Sequence, residues 1–232
     1  MYKIASVLEK LKNTSVHDVL VDIESAYERI SDEQSVWYEN SKFTCPSGCG
    51  SCCNNFEPDL FEGEALYMAA WLLENQLGTA FAILHDSYPF DNGEKTCPMF
   101  NPDTAYHCSI YEGRPFICRL FGAAGSRSRT GEKVWRPCKF YPESILRKHN
   151  PPIEKRQYDE SETLNLFGTL PPIMSDLIES TVSSSAHADE TTLLREILPQ
   201  KIKFLLWLID MNDNNNPNGS PNGSPSNTPF AA

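Results

Sequence analysis

Residues 44–55, TCPSGCGSCCNN, decide how this chain is read. Pro46, Gly48 and Gly50 break both helix and strand, so the segment is a loop whose backbone is free to wrap around an ion. Its cysteines, Cys45, Cys49, Cys52 and Cys53, are spaced C-x3-C-x2-C-C. Gaps of two and three residues let several thiolates converge on one ion or cluster from a single loop. Gly48 and Gly50 also leave amide N–H groups within reach of sulfur, which tunes a cluster's potential. Neighbouring side chains in extended backbone point to opposite sides. Either one of Cys52 and Cys53 is therefore not a ligand, or a turn lets both reach metal, or the two form a strained vicinal disulfide.

Four more cysteines, Cys97, Cys108, Cys118 and Cys138, follow downstream. All eight fall within 94 consecutive residues and the remaining 138 residues contain none, a clustering that cysteines used as small core hydrophobes would not show. The start, Met1 to Asn13, has no continuous apolar run of the kind a secretion signal needs, and no stretch approaches the roughly 18 apolar residues of a membrane helix. A cytoplasmic site is the default expectation. In a reducing compartment eight cysteines seldom persist as four disulfides, which leaves metal ligation as the leading reading. Structural zinc commonly uses two well-separated C-x2-C knuckles, of which only one is present. A C-x3-C-x2-C loop with a distant fourth cysteine suits a four-iron cubane cluster at least as well. Eight cysteines supply two four-ligand sites, or one site plus spare thiols. His107, beside Cys108, is read as a non-ligand because thiols suffice.

Outside the cysteine segment the pattern is helical. Ile4, Val7, Leu8 and Leu11 share one helical face, and Val16, Val19, Leu20, Ile23, Tyr27 and Ile30 form a second stripe, with Ser15 as the expected N-cap. A helix is expected over 59–77, burying Leu66, Ala69, Ala70, Leu73 and Leu77, with Asp59 and Glu62 in capping-box spacing and Gly78 at its end. Thr130-Gly131 marks a hairpin turn within Arg127 to Trp135. Residues 143–160, polar and proline-containing, read as a linker. Further helices are expected after Pro171-Pro172 and over 191–211, the latter kinked or divided by Pro199. From Asn212 the Asn/Gly/Ser/Pro-rich end carries the repeat PNGSPNGSP and reads as a disordered tail. The expected fold is mainly α: a small helical bundle with irregular cysteine-rich metal-binding loops and at most a short hairpin. Its parts are an N-terminal helical extension over 1–40, a cysteine-cluster domain over 41–142, a linker with packing helices over 143–211, and the tail over 212–232.

Composition bounds the rest. With 40% hydrophobic residues, 12 Phe, 9 Tyr and 4 Trp, the 232-residue chain can build a packed core. A net charge of −11 argues against nucleic acid or anionic membrane as a partner. No G-x-G-x-x-G fingerprint, phosphate-binding loop or H-E-x-x-H motif is present, so no catalytic residue is named.

The ordered set C-x3-C-x2-C-C, then CPMF, then CSIYEGRPFICR, resembles the YkgJ-type cysteine-cluster proteins, also described as a zinc- or iron-chelating CxxCxxCC domain. The resemblance covers about residues 43–122, and Glu64 sits where such proteins tend to carry a glutamate. It implies Cys45, Cys49, Cys52, Cys53, Cys97, Cys108 and Cys118 as the metal set. Cys138 lies downstream of the recognisable motifs, and the aromatic-Pro step that often follows the C-R pair is here Phe121-Gly122. The resemblance extends to flagellin lysine N-methylases, which contain a similar cysteine domain. In the last motif Arg114 and Arg119 bracket Cys118. They would offset thiolate charge, anchor a carboxylate-bearing substrate or cofactor, or form ion pairs within the fold.

Two readings follow. The first is a metal-binding protein holding an iron–sulfur cluster, four-iron favoured, or a zinc or iron ion, in a redox, sensing or structural role, with metal as the partner. The second is an iron–sulfur-dependent methylase-like enzyme with S-adenosylmethionine as candidate cofactor and a protein as candidate substrate or partner. Against the second, the chain is short for a (β/α) barrel and shows no alternating βα pattern.

Overall fold

A computed structural model describes residues 3–45, 48–91, 96–182 and 190–214. Two N-terminal helices, α1 (Ala5–Lys10) and α2 (Ser15–Ser41), pack through the predicted stripes. The cap of α2 is Thr14 rather than Ser15: the Thr14 side chain accepts from the backbone N–H of His17. Helix α3 (Glu62–Asn75) follows the cysteine loop, and its residues Glu64 to Leu72 are all buried. A helix buried on every face belongs at the centre of a fold. Here α3 packs against α1, α2, α4 (Leu77–Leu84) and α9 (Leu194–Asn214).

The predicted helix over 59–77 is thus shorter at both ends. Asp59 and Leu60 form a strand, β1, and the chain turns at Gln76 into α4, leaving Leu77 exposed. Gly78 lies inside α4 and not at a cap. Strand β1 pairs antiparallel with β5 (Thr192–Leu193), which sets the starts of α3 and α9 side by side. Of the kink or division expected at Pro199, the division does not occur: α9 runs through it as one helix. A proline leaves the carbonyl four residues earlier without its helical donor. The Tyr88 hydroxyl donates to that carbonyl, of Arg195, at 2.9 Å. Burial of Leu194, Ile197, Leu198, Ile202 and Leu205 then holds both parts of the helix on one core.

The remaining elements are short. Helix α5 (Phe116–Leu120) carries Cys118. The predicted hairpin forms from β2 (Ser126–Arg127) and β3 (Lys133–Trp135), turning at Gly131 with φ +88°. A third strand, β4 (Tyr158–Asp159), joins β3. The two pairings beyond the hairpin were not expected, since a two-residue strand leaves no alternation to read. Helices α6 (Glu143–Leu146), α7 (Glu160–Phe167) and α8 (Met174–Val182) complete the described chain. Residues 143–160 do more than link: Leu146, Ile153 and Tyr158 are buried beside Trp37, Phe43, Trp135, Tyr141 and Phe167. This second, aromatic core is separate from the larger helical one. Helix α9 includes residues 212–214, and the tail expected beyond them lies outside the described residues.

Candidate metal centre

The cysteine loop begins where α2 ends. Lys42, at φ 61°, turns the chain out of the helix, Phe43 anchors in the aromatic core, and the Tyr141 hydroxyl donates to the Thr44 carbonyl. The loop then lies against residues 97–108. The Gly48 N–H donates to the Ala105 carbonyl at 3.1 Å, and the Gly48 carbonyl is 2.8 Å from His107 Nε2. Gly50 has no room for a side chain: a Cβ there would come within 2.6 Å of His107 and 2.8 Å of the Phe100 ring. His107 therefore clamps the loop. Further on, the Cys97 N–H donates to the Cys53 carbonyl at 2.9 Å and the Thr96 hydroxyl to the Asn54 carbonyl at 2.9 Å.

Cys118 is placed by α3. The buried Glu64 carboxylate accepts from the N–H of Phe61 at 3.0 Å and of Phe116 at 2.5 Å, tying α3 to the start of α5. Gln34 of α2 donates to the Arg119 carbonyl at 2.7 Å from the other side. Gly122, at φ +76°, lets Cys138 approach α5: a Cβ at Gly122 would stand 3.2 Å from Cys138 Cβ and 3.5 Å from its sulfur.

All eight cysteines are free thiols and all eight line two adjoining cavities. The larger, about 100 Å³, is lined by Cys45, Cys49, Cys52, Cys53, Cys97, Cys108 and Cys118. The smaller, about 40 Å³, is lined by Cys45, Cys49, Cys52 and Cys138. Cys52 Sγ and Cys53 Sγ are 3.8 Å apart, far beyond the roughly 2.05 Å of a disulfide. Among the described residues, no three His, Cys, Asp or Glu side chains stand close enough to hold one ion directly. The sulfurs share space around the cavities without meeting at a point.

Burial sets the electrostatics. It pushes the thiols of Cys45 and Cys97 up to about 12, and raises those of Cys108, Cys118 and Cys138 as well. Like-charge neighbours add to this at each site. The Cys53 thiol is also raised, first by its hydrogen bond to Cys52 and then by burial. Cys52 moves the other way, to about 6, because it accepts from Cys53 and from backbone N–H groups and faces Arg114. Backbone N–H groups aim at three further sulfurs: Met99 at Cys97, Ile110 at Cys108, and Phe140 with Tyr141 at Cys138. Such donors stabilise thiolates, while burial without a cation opposes them. A soft cation resolves that conflict, so the donor set fits a thiophilic metal or cluster.

The two arginines differ. Arg114 lines the larger cavity, its guanidinium lies 3.6 Å from the Tyr111 ring centroid, and its Nε is buried with no partner among the described residues. Arg119 lines the same cavity, but its donors are committed to the fold. It donates to the carbonyls of Arg114, at 2.8 Å, and Glu112, and covers the Tyr27 ring at 3.8 Å. Tyr38 is a lining residue that sequence reasoning did not single out. It comes from α2, faces both cavities, and burial pushes its hydroxyl up to about 12. It lies about five helical turns after Leu20, in phase with the stripe that α2 buries, so the sequence pattern marks a core position and gives no sign of a wall facing thiols.

No helix among the described residues is long and apolar enough to cross a membrane. Comparison with curated proteins and with solved structures gives no match, so the likeness to flagellin lysine N-methylases rests on the cysteine motifs alone. Residues 44–149 match the model of the CxxCxxCC family, described as "Putative zinc- or iron-chelating domain"; this segment, which carries all eight cysteines, is a domain of that family.

Proposed function

We propose that this protein holds an iron–sulfur centre, in preference to an isolated zinc or iron ion, and serves a redox, sensing or structural role in a reducing, cytoplasmic setting. The observation that carries the reading is the gathering of eight free thiols, from the loop after α2, the 97–108 segment, the short helix α5 and the segment after β3, around two adjoining cavities with N–H donors already aimed at sulfur. Hydrogen bonds to sulfur are one of the levers that set a cluster's potential. A closed zinc site, with Zn–S near 2.3 Å, leaves no void between its ligands; the larger cavity has about 100 Å³ to fill. When bound, such a centre supplies charge compensation for the thiolates and, with iron, electron transfer. The chain's own part is to present deprotonated sulfur, to offset charge with Arg114, and to exclude water with Met68, Met99 and Phe121.

The test is iron, zinc and sulfide analysis of anaerobically purified protein, wild type and Cys49→Ser. The expected wild type is brown, with iron and acid-labile sulfide in matching amounts and a visible absorbance that bleaches in air. Cys49→Ser should lose most of it. Colourless wild-type protein loaded with zinc would replace the cluster by an ion, and a metal-free wild type would end the reading.

One feature favours the enzyme reading as a second choice. Arg114 lines the cavity walled by thiols, and a guanidinium there suits a carboxylate such as that of S-adenosylmethionine. Arg119, also named from the sequence, lines the same cavity and holds the Arg114 backbone. Saturable S-adenosylmethionine binding that Arg114→Met abolishes would promote this reading.

A further inference from the structure

We infer that the eight thiolates form two adjoining four-sulfur centres, one from Cys45, Cys49, Cys52 and Cys138 and the other from Cys53, Cys97, Cys108 and Cys118. The inference rests on the metal-binding reading and divides the site that reading leaves whole.

Two geometric observations carry this division. The smaller cavity is lined by four cysteines, and they are the first set; Cys45, Cys49 and Cys52 of that set line the larger cavity too, where the two centres adjoin. The other four line only the larger cavity. The packing differs as well: Cys53, Cys97 and Cys108 pack on the helical core, whereas Cys138 packs on the aromatic one.

This division also settles the role of the vicinal pair. Cys52 and Cys53, 3.8 Å apart, sit at the seam, each serving a different centre. Loop spacing then makes chemical sense: the C-x3-C-x2-C run supplies three ligands from one loop, and Cys138 closes the set from the strand side. Gly122 is what lets it close, since any side chain there would press on Cys138.

The experiment is thiol footprinting of the purified, metal-loaded full chain with iodoacetamide, read cysteine by cysteine by mass spectrometry and paired with metal analysis. In the wild type all eight thiols should resist alkylation until metal is stripped. Cys138→Ser should expose Cys45, Cys49 and Cys52 and leave the other four protected, with partial loss of metal. Cys108→Ser should expose Cys53, Cys97 and Cys118 and spare the first set. If either substitution exposes both sets together, the protein has one centre and the division is wrong. It is equally wrong if Cys138→Ser leaves Cys45, Cys49 and Cys52 protected. Gly122→Ala keeps every thiol and serves if the serine variants do not fold: it should speed alkylation of the first set alone, and equal acceleration of all eight, or of none, counts against the division. Wild-type protein that binds no metal would instead overturn the metal reading itself.

Discussion

The helical and aromatic cores meet at the cysteine loop and are built on different principles. In the first, α2, α3 and α9 repeat apolar residues at helical spacing, so each buried side chain has neighbours a turn away on its own element. In the second, Trp37, Phe43, Trp135, Tyr158 and Phe167 come from five separate elements or loops, and the strands and helix among the last three have no more than eight residues. Their rings meet largely edge-on, Trp37 at 5.0 Å from Phe167 and 5.5 Å from Trp135. Aromatic pairs of that geometry add about 0.5–1.5 kcal/mol beyond burial. Segments far apart in sequence lose more chain entropy on meeting than a helix does on closing its own turns. A core with little backbone regularity therefore leans on cross-links, and the proposed metal ligands Cys138, Cys45 and Cys49, which line one cavity, are where this one would gain them.

The largest expected effect tests that dependence. Stripping metal should collapse hydrogen-exchange protection over residues 126–167 while α3 and α9 keep most of theirs, because binding free energy at a structural metal site is folding free energy. Uniform loss in both regions would show that the two cores stand or fall together. Next, Trp37→Ala removes a fully buried ring and should cost about 3–5 kcal/mol. Leu72→Ala at the centre of α3, also fully buried, should cost about 2–5 kcal/mol. Urea titrations followed by exchange at each core separate the two: Trp37→Ala should loosen the aromatic side first, Leu72→Ala the whole molecule.

The same contrast explains what could be read in advance. The helical core was legible because period 3.6 is a sequence property, and Leu20, Ile23, Tyr27, Ile202 and Leu205 are buried as their spacing requires. The eight cysteines stood out by clustering, and the CPMF and CSIYEGRPFICR segments do come to the loop. Residues 143–160 were misread as a linker because Leu146, Ile153 and Tyr158 follow no period and point into a core that exists only once Trp37 and Trp135 arrive. Tyr38 was missed for a related reason: its place on both cavity walls comes from where α2 ends, not from its neighbours in sequence. That Pro199 leaves α9 undivided could not be read, because the compensating donor, Tyr88, lies over a hundred residues away.

Glu64 links the helical core to the cysteines and should make that link pH-dependent. Burial pushes its carboxyl up to about 7, against the lowering effect of the Phe116 and Phe61 N–H groups and of Arg119. A folded-state pKa above the unfolded one means this group's stability is full below the ordinary carboxylate range and lost as pH rises through about 7. At about 1.4 kcal/mol per unit the change is of order 3 kcal/mol. Metal binding runs the other way, since thiolates form as pH rises. The difference between wild type and Glu64→Gln removes that common contribution: wild type should lose stability relative to the variant between pH 5 and 8 in urea titrations. A constant difference would show that Glu64 stays ionised throughout.

The smallest effect concerns a tie between the two sides that lies at the surface. Arg127 of β2 donates twice to Asp176 of α8, at 2.8 Å and 2.8 Å, joining the aromatic side's sheet to a helix whose Leu177 is buried in the helical core. Both side chains are more than 40% exposed, where ion pairs yield about 0–1 kcal/mol and salt screens them. Asp176→Asn should therefore shift the urea midpoint only slightly, and less in high salt. A loss of several kcal/mol would mean that the two cores are held together across this edge. A near-neutral result leaves the junction to α2, which carries Ile30 of the helical core and Trp37 of the aromatic one, and to the thiols along the two cavities.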